Sequence, residues 1–158
     1  MKIVHLPLAA LLILSPTLAH AQEPHAQPHA PVADGRAVLA LTPAERVLLL
    51  QEMHLFLDGV QKITGALGRQ DMSAVAEAAR GLGQKAAHGV PPGLRAKLPQ
   101  EFRQLGFSVH SDFDQMALDA DNLQDVSTSL NQLSATLQKC AACHATYQIQ
   151  VPLQPLGR

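Results

Sequence analysis

The sequence predicts an all-α protein, an antiparallel four-helix bundle, and three observations carry that expectation. Hydrophobic residues make up 47% of the 158-residue chain, while aromatic residues make up only 3% and Trp is absent. Small and aliphatic side chains must therefore fill the interior, which suits helices better than a sheet of aromatic and β-branched residues. Four stretches carry apolar residues at alternating steps of three and four, the mark of one helical face, and no strand-type alternation competes with them. The connections between the stretches are short or moderate, which favours antiparallel neighbours.

The first helix opens at "LTPAE", where Thr42 is placed to cap it, Pro43 suits its first turn and Glu45 completes a capping box. Leu49, Met53, Phe56, Val60, Ile63 and Leu67 then form one continuous seam, interrupted at Gly68 to Asp71. Asp71 can cap a second helix with seam residues Met72, Val75, Ala79, Leu82 and Ala86, whose small side chains let neighbouring helices approach closely. "HGVPPG" (His88 to Gly93) ends it, because paired prolines and glycines cannot continue a helix. A third helix starts near Pro99 and carries Phe102, Leu105, Val109, Phe113, Met116 and Ala120. The fourth, from about Asp125, carries Val126, Leu130, Leu133, Leu137, Cys140, His144 and Tyr147, and Pro152 closes the pattern.

The flanks read differently. Lys2 precedes an apolar run, Leu6 to Leu14, that is too short to span a bilayer, and Ala19 and Ala21 give the small-x-small pattern of a cleavage site. Residues 1–21 are expected to be a secretory signal peptide and residues 22–40 a flexible leader holding His25 and His29. The helical domain then covers 41–150 and a short tail 151–158. No later segment is apolar enough to cross a membrane, so the mature chain is expected in the periplasm, where exposed thiols oxidise. Formal net charge is -1, from 12 basic and 13 acidic residues, and no basic surplus points to nucleic acid or an anionic membrane surface.

The chemistry concentrates in "KCAACHATYQ", residues 139–148, which holds both cysteines of the chain. Cys140, Cys143 and His144 fit three chemistries: a redox dithiol, part of a zinc site, or a covalent haem anchor. A thioredoxin-like dithiol sits at a helix N-terminus in a βαβ setting, where the helix dipole lowers a thiol pKa. Here the motif falls in the last turns of a helix, where the dipole has the wrong sign. A structural zinc site needs a fourth protein ligand and normally a second ligand pair, which the sequence does not offer. Haem attachment needs nothing more: each thiol adds to a vinyl group, and the next residue presents an imidazole to the iron. The expected cofactor is therefore one haem c, covalent through Cys140 and Cys143, with His144 as proximal iron ligand.

With a signal peptide, four helices and a CxxCH in the final helix, the chain resembles the cytochrome c prime family, including its low-spin, methionine-ligated relatives, over roughly residues 40–150. That family often carries a basic residue four positions after the haem histidine, where this chain has Gln148, and an aromatic one at the position of Tyr147. The resemblance also implies a homodimer through the first two helices.

Topology narrows the search for a sixth ligand. In an up-down-up-down bundle the end of the fourth helix lies beside the start of the first. Met72 and Met116 then belong at the far end, whereas Met53 lies about 15 Å along the first helix at the usual rise per residue. Met53 is thus the expected distal ligand, and the low-spin members of the family take a methionine from what looks like this position. The plainer role for Met53 is to fill the core. His54 points about 100° away from Met53. His88 and His110 read as surface or haem-edge residues, with His110 the spare candidate.

Two functions follow from the axial ligands. Ligation by both His144 and Met53 describes a small electron carrier serving a redox partner protein. An iron with one open face describes a binder of nitric oxide or carbon monoxide. A haem-bearing structural or sensory module of a larger complex is a third alternative. An enzyme is not expected, since no carboxylate pair, nucleophile with base or second metal site accompanies the motif.

Overall fold

The computed structural model describes residues 34–87 and 89–150. The expected signal peptide, most of the leader with His25 and His29, His88 and the tail with Pro152 lie outside the described residues.

The chain is mostly helical. A short strand β1 (Ala37–Ala40) leads into α1 (Pro43–Gly68), followed by α2 (Met72–Arg80), α3 (Gln84–Ala87), α4 (Pro92–Lys97), α5 (Gln100–Leu123), α6 (Val126–Thr146) and strand β2 (Tyr147–Gln150). The start signals act as the sequence suggests. Thr42 Oγ1 accepts from the Glu45 N–H while the Glu45 carboxylate accepts from the Thr42 N–H at 2.9 Å, a complete capping box. Asp71 accepts from the Ala74 N–H at 3.0 Å and Asp125 from the Thr128 N–H at 2.8 Å. Pro99 stands at the N-cap of α5.

Packing runs in a chain of contacts: α1 on α2, α2 on α5, α5 on α6, with α3 also on α5, whereas α1 and α6 touch sparsely. Two apolar clusters result. The larger one holds Ile63, Val75, Leu82, Phe113, Met116 and Leu133, with Phe56, Val60 and Cys140 at its margin. The smaller one gathers Leu39, Leu41, Leu49, Leu94 and Leu98, with Met53, Phe102 and Tyr147 packed against it. Each fully buried aliphatic or aromatic side chain contributes about 1.5–3 kcal/mol.

Four expectations are corrected. First, the second helix does not run to Ala86. It stops at Arg80, because α5 takes over its backbone groups: His110 Nδ1 bonds the Leu82 carbonyl at 2.7 Å and Asp114 accepts from the Gln84 N–H at 3.0 Å. Gly83 permits this, since a Cβ there would collide with the Asp114 carboxylate. Second, the proline-rich connection folds into α4, with Pro92 in its first turn.

Third, order begins before residue 41, and Tyr147 is not helical. Ala37–Ala40 pairs in parallel with Tyr147–Gln150, Ala37 opposite Tyr147 and Ala40 opposite Gln150. Leu39, Tyr147 and Ile149 pack on the smaller cluster while Gln150 is exposed, in a strand of four residues that is too short to announce itself in the sequence. Fourth, Leu130 and Leu137 are not buried: they are 48% and 42% exposed. The buried face of α6 is Ser129, Leu133 and Thr136. Polar ties to α5 set this rotation. Gln132 donates to Asp119 at 2.5 Å, Thr136 Oγ1 to Asp112 at 3.3 Å, and Lys139 pairs with Asp112 at 2.6 Å.

Candidate functional site

The motif occupies the last two turns of α6, as expected from its position in the pattern. On a helix, Cys140 and Cys143 lie about 60° apart and Cys140 and His144 about 40° apart around the axis, so the three share one sector. Cys140 and Cys143 are free thiols, both half-buried, while His144 is exposed. Burial pushes both thiols above their ordinary pKa, with the Asp112 carboxylate adding to the effect at Cys140 and its neighbour Cys140 adding to it at Cys143. They are protonated at neutral pH. A reactive redox dithiol has the opposite bias, toward thiolate. Among the described residues no group of three or more His, Cys, Asp or Glu side chains converges on a common point.

The end of the motif is clamped from across the chain. Arg36 Nη1 donates to the His144 carbonyl at 3.2 Å, Gln148 Nε2 donates to the Arg36 carbonyl at 3.0 Å, and the Tyr147 N–H caps the helix on the Cys143 carbonyl. Arg36 itself is held by Asp34 at 2.6 Å, a contact that lowers the Asp34 pKa to about 2. Position 148 carries no positive charge, and the guanidinium that meets the His144 carbonyl, that of Arg36, is paired with Asp34. No sequence signal could have found it, because Arg36 and His144 are 108 positions apart.

Met53 lies at this end of the molecule. It is half-buried in the cluster that includes Tyr147, whose ring meets Phe102 edge-on at 5.2 Å. The rotation of α1 is fixed by Phe56, which stacks on Phe113 at 5.9 Å, and by Gly59, which abuts Leu82. Relative to Phe56, Met53 and Leu57 lie about 60° and 100° round the helix, on the side away from Gly59 and α2. Leu57 is 66% exposed. On α6 the corresponding stripe is Leu130, Leu137 and His144, each seven residues from the last and so nearly in line. Leu57 on α1 and Leu130 and Leu137 on α6 thus leave exposed apolar surface on two helices that barely meet.

This donor set fits a haem c. Half-buried neutral thiols, an exposed imidazole, a thioether in the adjoining cluster and exposed leucines on α1 and α6 are compatible with a flat, largely apolar macrocycle carrying two vinyl groups. Met72 and Met116 are buried in the larger cluster and take no part. His54 is exposed.

His110 departs from the expectation of a surface or edge residue. It is 3% exposed, its ring tilted against Phe56 at 4.8 Å, with Nδ1 on the Leu82 carbonyl and Nε2 at 3.1 Å from Glu52 Oε1. Both ring nitrogens are engaged, so it has none to offer an iron. Burial alone would lower its pKa, but the Glu52 carboxylate and the Leu82 carbonyl more than offset that and the value is raised. The sequence signal was present in the spacing, since His110 follows the seam residue Val109, but the partner on α1 was not readable.

No protein-family model, curated protein or solved structure matches the chain. No helix among the described residues is long and apolar enough to cross a membrane.

Proposed function

We propose that this protein is an exported, periplasmic monohaem c-type cytochrome of the cytochrome c prime kind, an electron carrier built on an antiparallel four-helix bundle. The four bundle helices are α1, α2, α5 and α6. Support for the bundle comes from the order of contacts along α1, α2, α5 and α6. The observation that carries the function is "CAACH" on the last turns of α6, at the end of an exposed apolar stripe and at the same end of the molecule as Met53.

In this reading Cys140 and Cys143 would hold haem c through two thioethers, and His144 and Met53 would be the ligands to its iron. When bound, the haem supplies a one-electron couple at the iron. The chain does the rest. Leu57, Leu130 and Leu137, exposed here, would shield a bound haem from water, which disfavours the extra charge of the oxidised state and raises the potential. The clamp of Arg36 and Gln148 holds the backbone at His144 and limits its reorientation. The place of Met53 in an apolar cluster also supports a second reading, in which it remains a wall and the open iron face takes nitric oxide or carbon monoxide.

Attachment is tested by expressing the full chain with a competent haem-maturation system. The denatured product keeps its haem through acid-acetone extraction and shows a pyridine spectrum with both vinyl groups saturated. A colourless product would overturn the reading.

A further inference from the structure

A cavity of about 490 Å³ opens between the first half of α5, the α3–α4 segment and Glu52 of α1. Cys140, Cys143, His144 and Met53 do not line it, although Leu98 and Phe102 also belong to the cluster that holds Met53. Its size falls within the roughly 300–1,000 Å³ of small-molecule sites.

The deep wall carries Glu52 and His110, whose side chains are 19% and 4% exposed. His110 meets an acceptor at each nitrogen, so the pair satisfies itself and adds little net charge. The mouth is different. Arg95 and Arg103 are exposed there, and among the described residues neither is paired with a carboxylate; Arg95 reaches only the Val90 carbonyl, at 3.4 Å. Arg36, Arg80, Lys97 and Lys139 are all held by an aspartate or glutamate. The first residue of α5, Gln100, also lines the mouth, and the Pro99 cap makes no side-chain hydrogen bond to the first N–H groups of that helix. Between deep wall and mouth stand Leu98, Phe102 and Phe107, and Phe107 is 55% exposed.

We propose that this cavity binds a small amphipathic carboxylate, its apolar body against Leu98, Phe102 and Phe107 and its carboxylate on Arg95 and Arg103. Two unpaired guanidinium groups repel a cation and present the fork geometry that a carboxylate takes up in pairs of hydrogen bonds. The helix start behind them favours the same sign of charge. An open aromatic ring beside that charge selects a ligand with an apolar part over a bare inorganic anion.

The test uses naphthalene-2-carboxylate and the uncharged naphthalene-2-methanol as probes, titrated calorimetrically into the full-length protein carrying its haem. The carboxylate binds saturably at one site, and the alcohol binds at least tenfold more weakly. The double variant R95Q/R103Q, altered only at exposed positions, also binds the carboxylate at least tenfold more weakly. Gly106→Leu supplies the blocking control. A Cβ at Gly106 meets nothing within 4 Å, so the new side chain enters the cavity, and leucine is the better helix former. Binding is lost in this variant while its thermal midpoint is kept or raised. Absence of saturable binding to the wild type would refute the proposal. Equal affinity for the two probes, or undiminished binding by either variant, would refute it as well.

Discussion

Replacing Met53 by alanine separates an iron ligand from a wall residue, provided its cost is compared with that of a methionine whose role is packing alone. Met116 is that control: it is 0% exposed in the larger cluster, so Met116→Ala leaves a full cavity and is expected to cost about 2–5 kcal/mol. Met53 is half-buried at the margin of the smaller cluster, so its packing share is roughly half of that, about 1–2.5 kcal/mol. At roughly 4 °C per kcal/mol for a domain of this size, Met116→Ala lowers the thermal midpoint by about 8–20 °C. Met53→Ala lowers it by about half as much from packing alone, plus whatever ligation contributes. The optical spectra reverse the order. Met116→Ala leaves the haem spectrum unchanged. Met53→Ala removes the weak near-infrared sulfur-to-iron band, makes the iron high-spin, opens it to carbon monoxide and lowers the potential, because a thioether favours ferrous iron. The reasoning fails if the wild type is already high-spin and binds carbon monoxide readily; the gas-binding reading then replaces the electron carrier. It fails equally if Met53→Ala changes only the midpoint.

Replacing Cys140 or Cys143 by serine leaves at most one thioether, so attachment is weakened or abolished and any haem that is kept shows a pyridine spectrum with one vinyl group intact; a spectrum with both vinyl groups still saturated would contradict thioether attachment. Gly59→Ala places a methyl group against Leu82, itself 2% exposed, and the overpacking outweighs the gain in helix propensity. A net loss of about 1–2 kcal/mol is expected in denaturant titrations, and a stabilised variant would show that α1 and α2 are less tightly apposed. For His110, the raised folded pKa makes its stabilising contribution complete below the unfolded value near 6.5, and that contribution is lost as pH rises through the folded value. The stability gap between wild type and His110→Gln is therefore widest near pH 6 and narrows toward pH 9. A gap constant across that range would show that the ring packs as a neutral group.

The sequence disclosed most where the physics is local. Thr42, Asp71 and Asp125 cap the helices they precede because a capping side chain needs only its own next turn. The seam of α1 is buried as spaced at Leu49, Ile63 and Leu67. What stayed hidden depends on partners far along the chain. The arrest of α2 at Arg80 is decided by His110 and Asp114 of α5, which replace the helix's own hydrogen bonds at Leu82 and Gln84. The rotation of α6 is decided by Asp112 and Asp119, which apolar periodicity treats as solvent-facing. At the candidate site, Cys140, Cys143 and His144 were readable because they are contiguous. Arg36 was not, because nothing in its neighbourhood marks it as the residue that will reach His144.

The parallel pairing of β1 with β2 has a consequence for the order of events during folding. It joins residues more than a hundred positions apart, as the Arg36 to His144 contact does at 108. Closing so large a loop costs about 4 kcal/mol of chain entropy, returned only when both ends are in place. Contacts of such long range form late, after neighbouring helices have met. The strand pair therefore behaves as a latch that shuts last. Until it does, the stretch with Cys140, Cys143 and His144 is held only by α6 and its packing on α5, without the clamp at its C-terminal end. Once it shuts, Arg36 secures the His144 carbonyl and the segments before α1 and after α6 are joined.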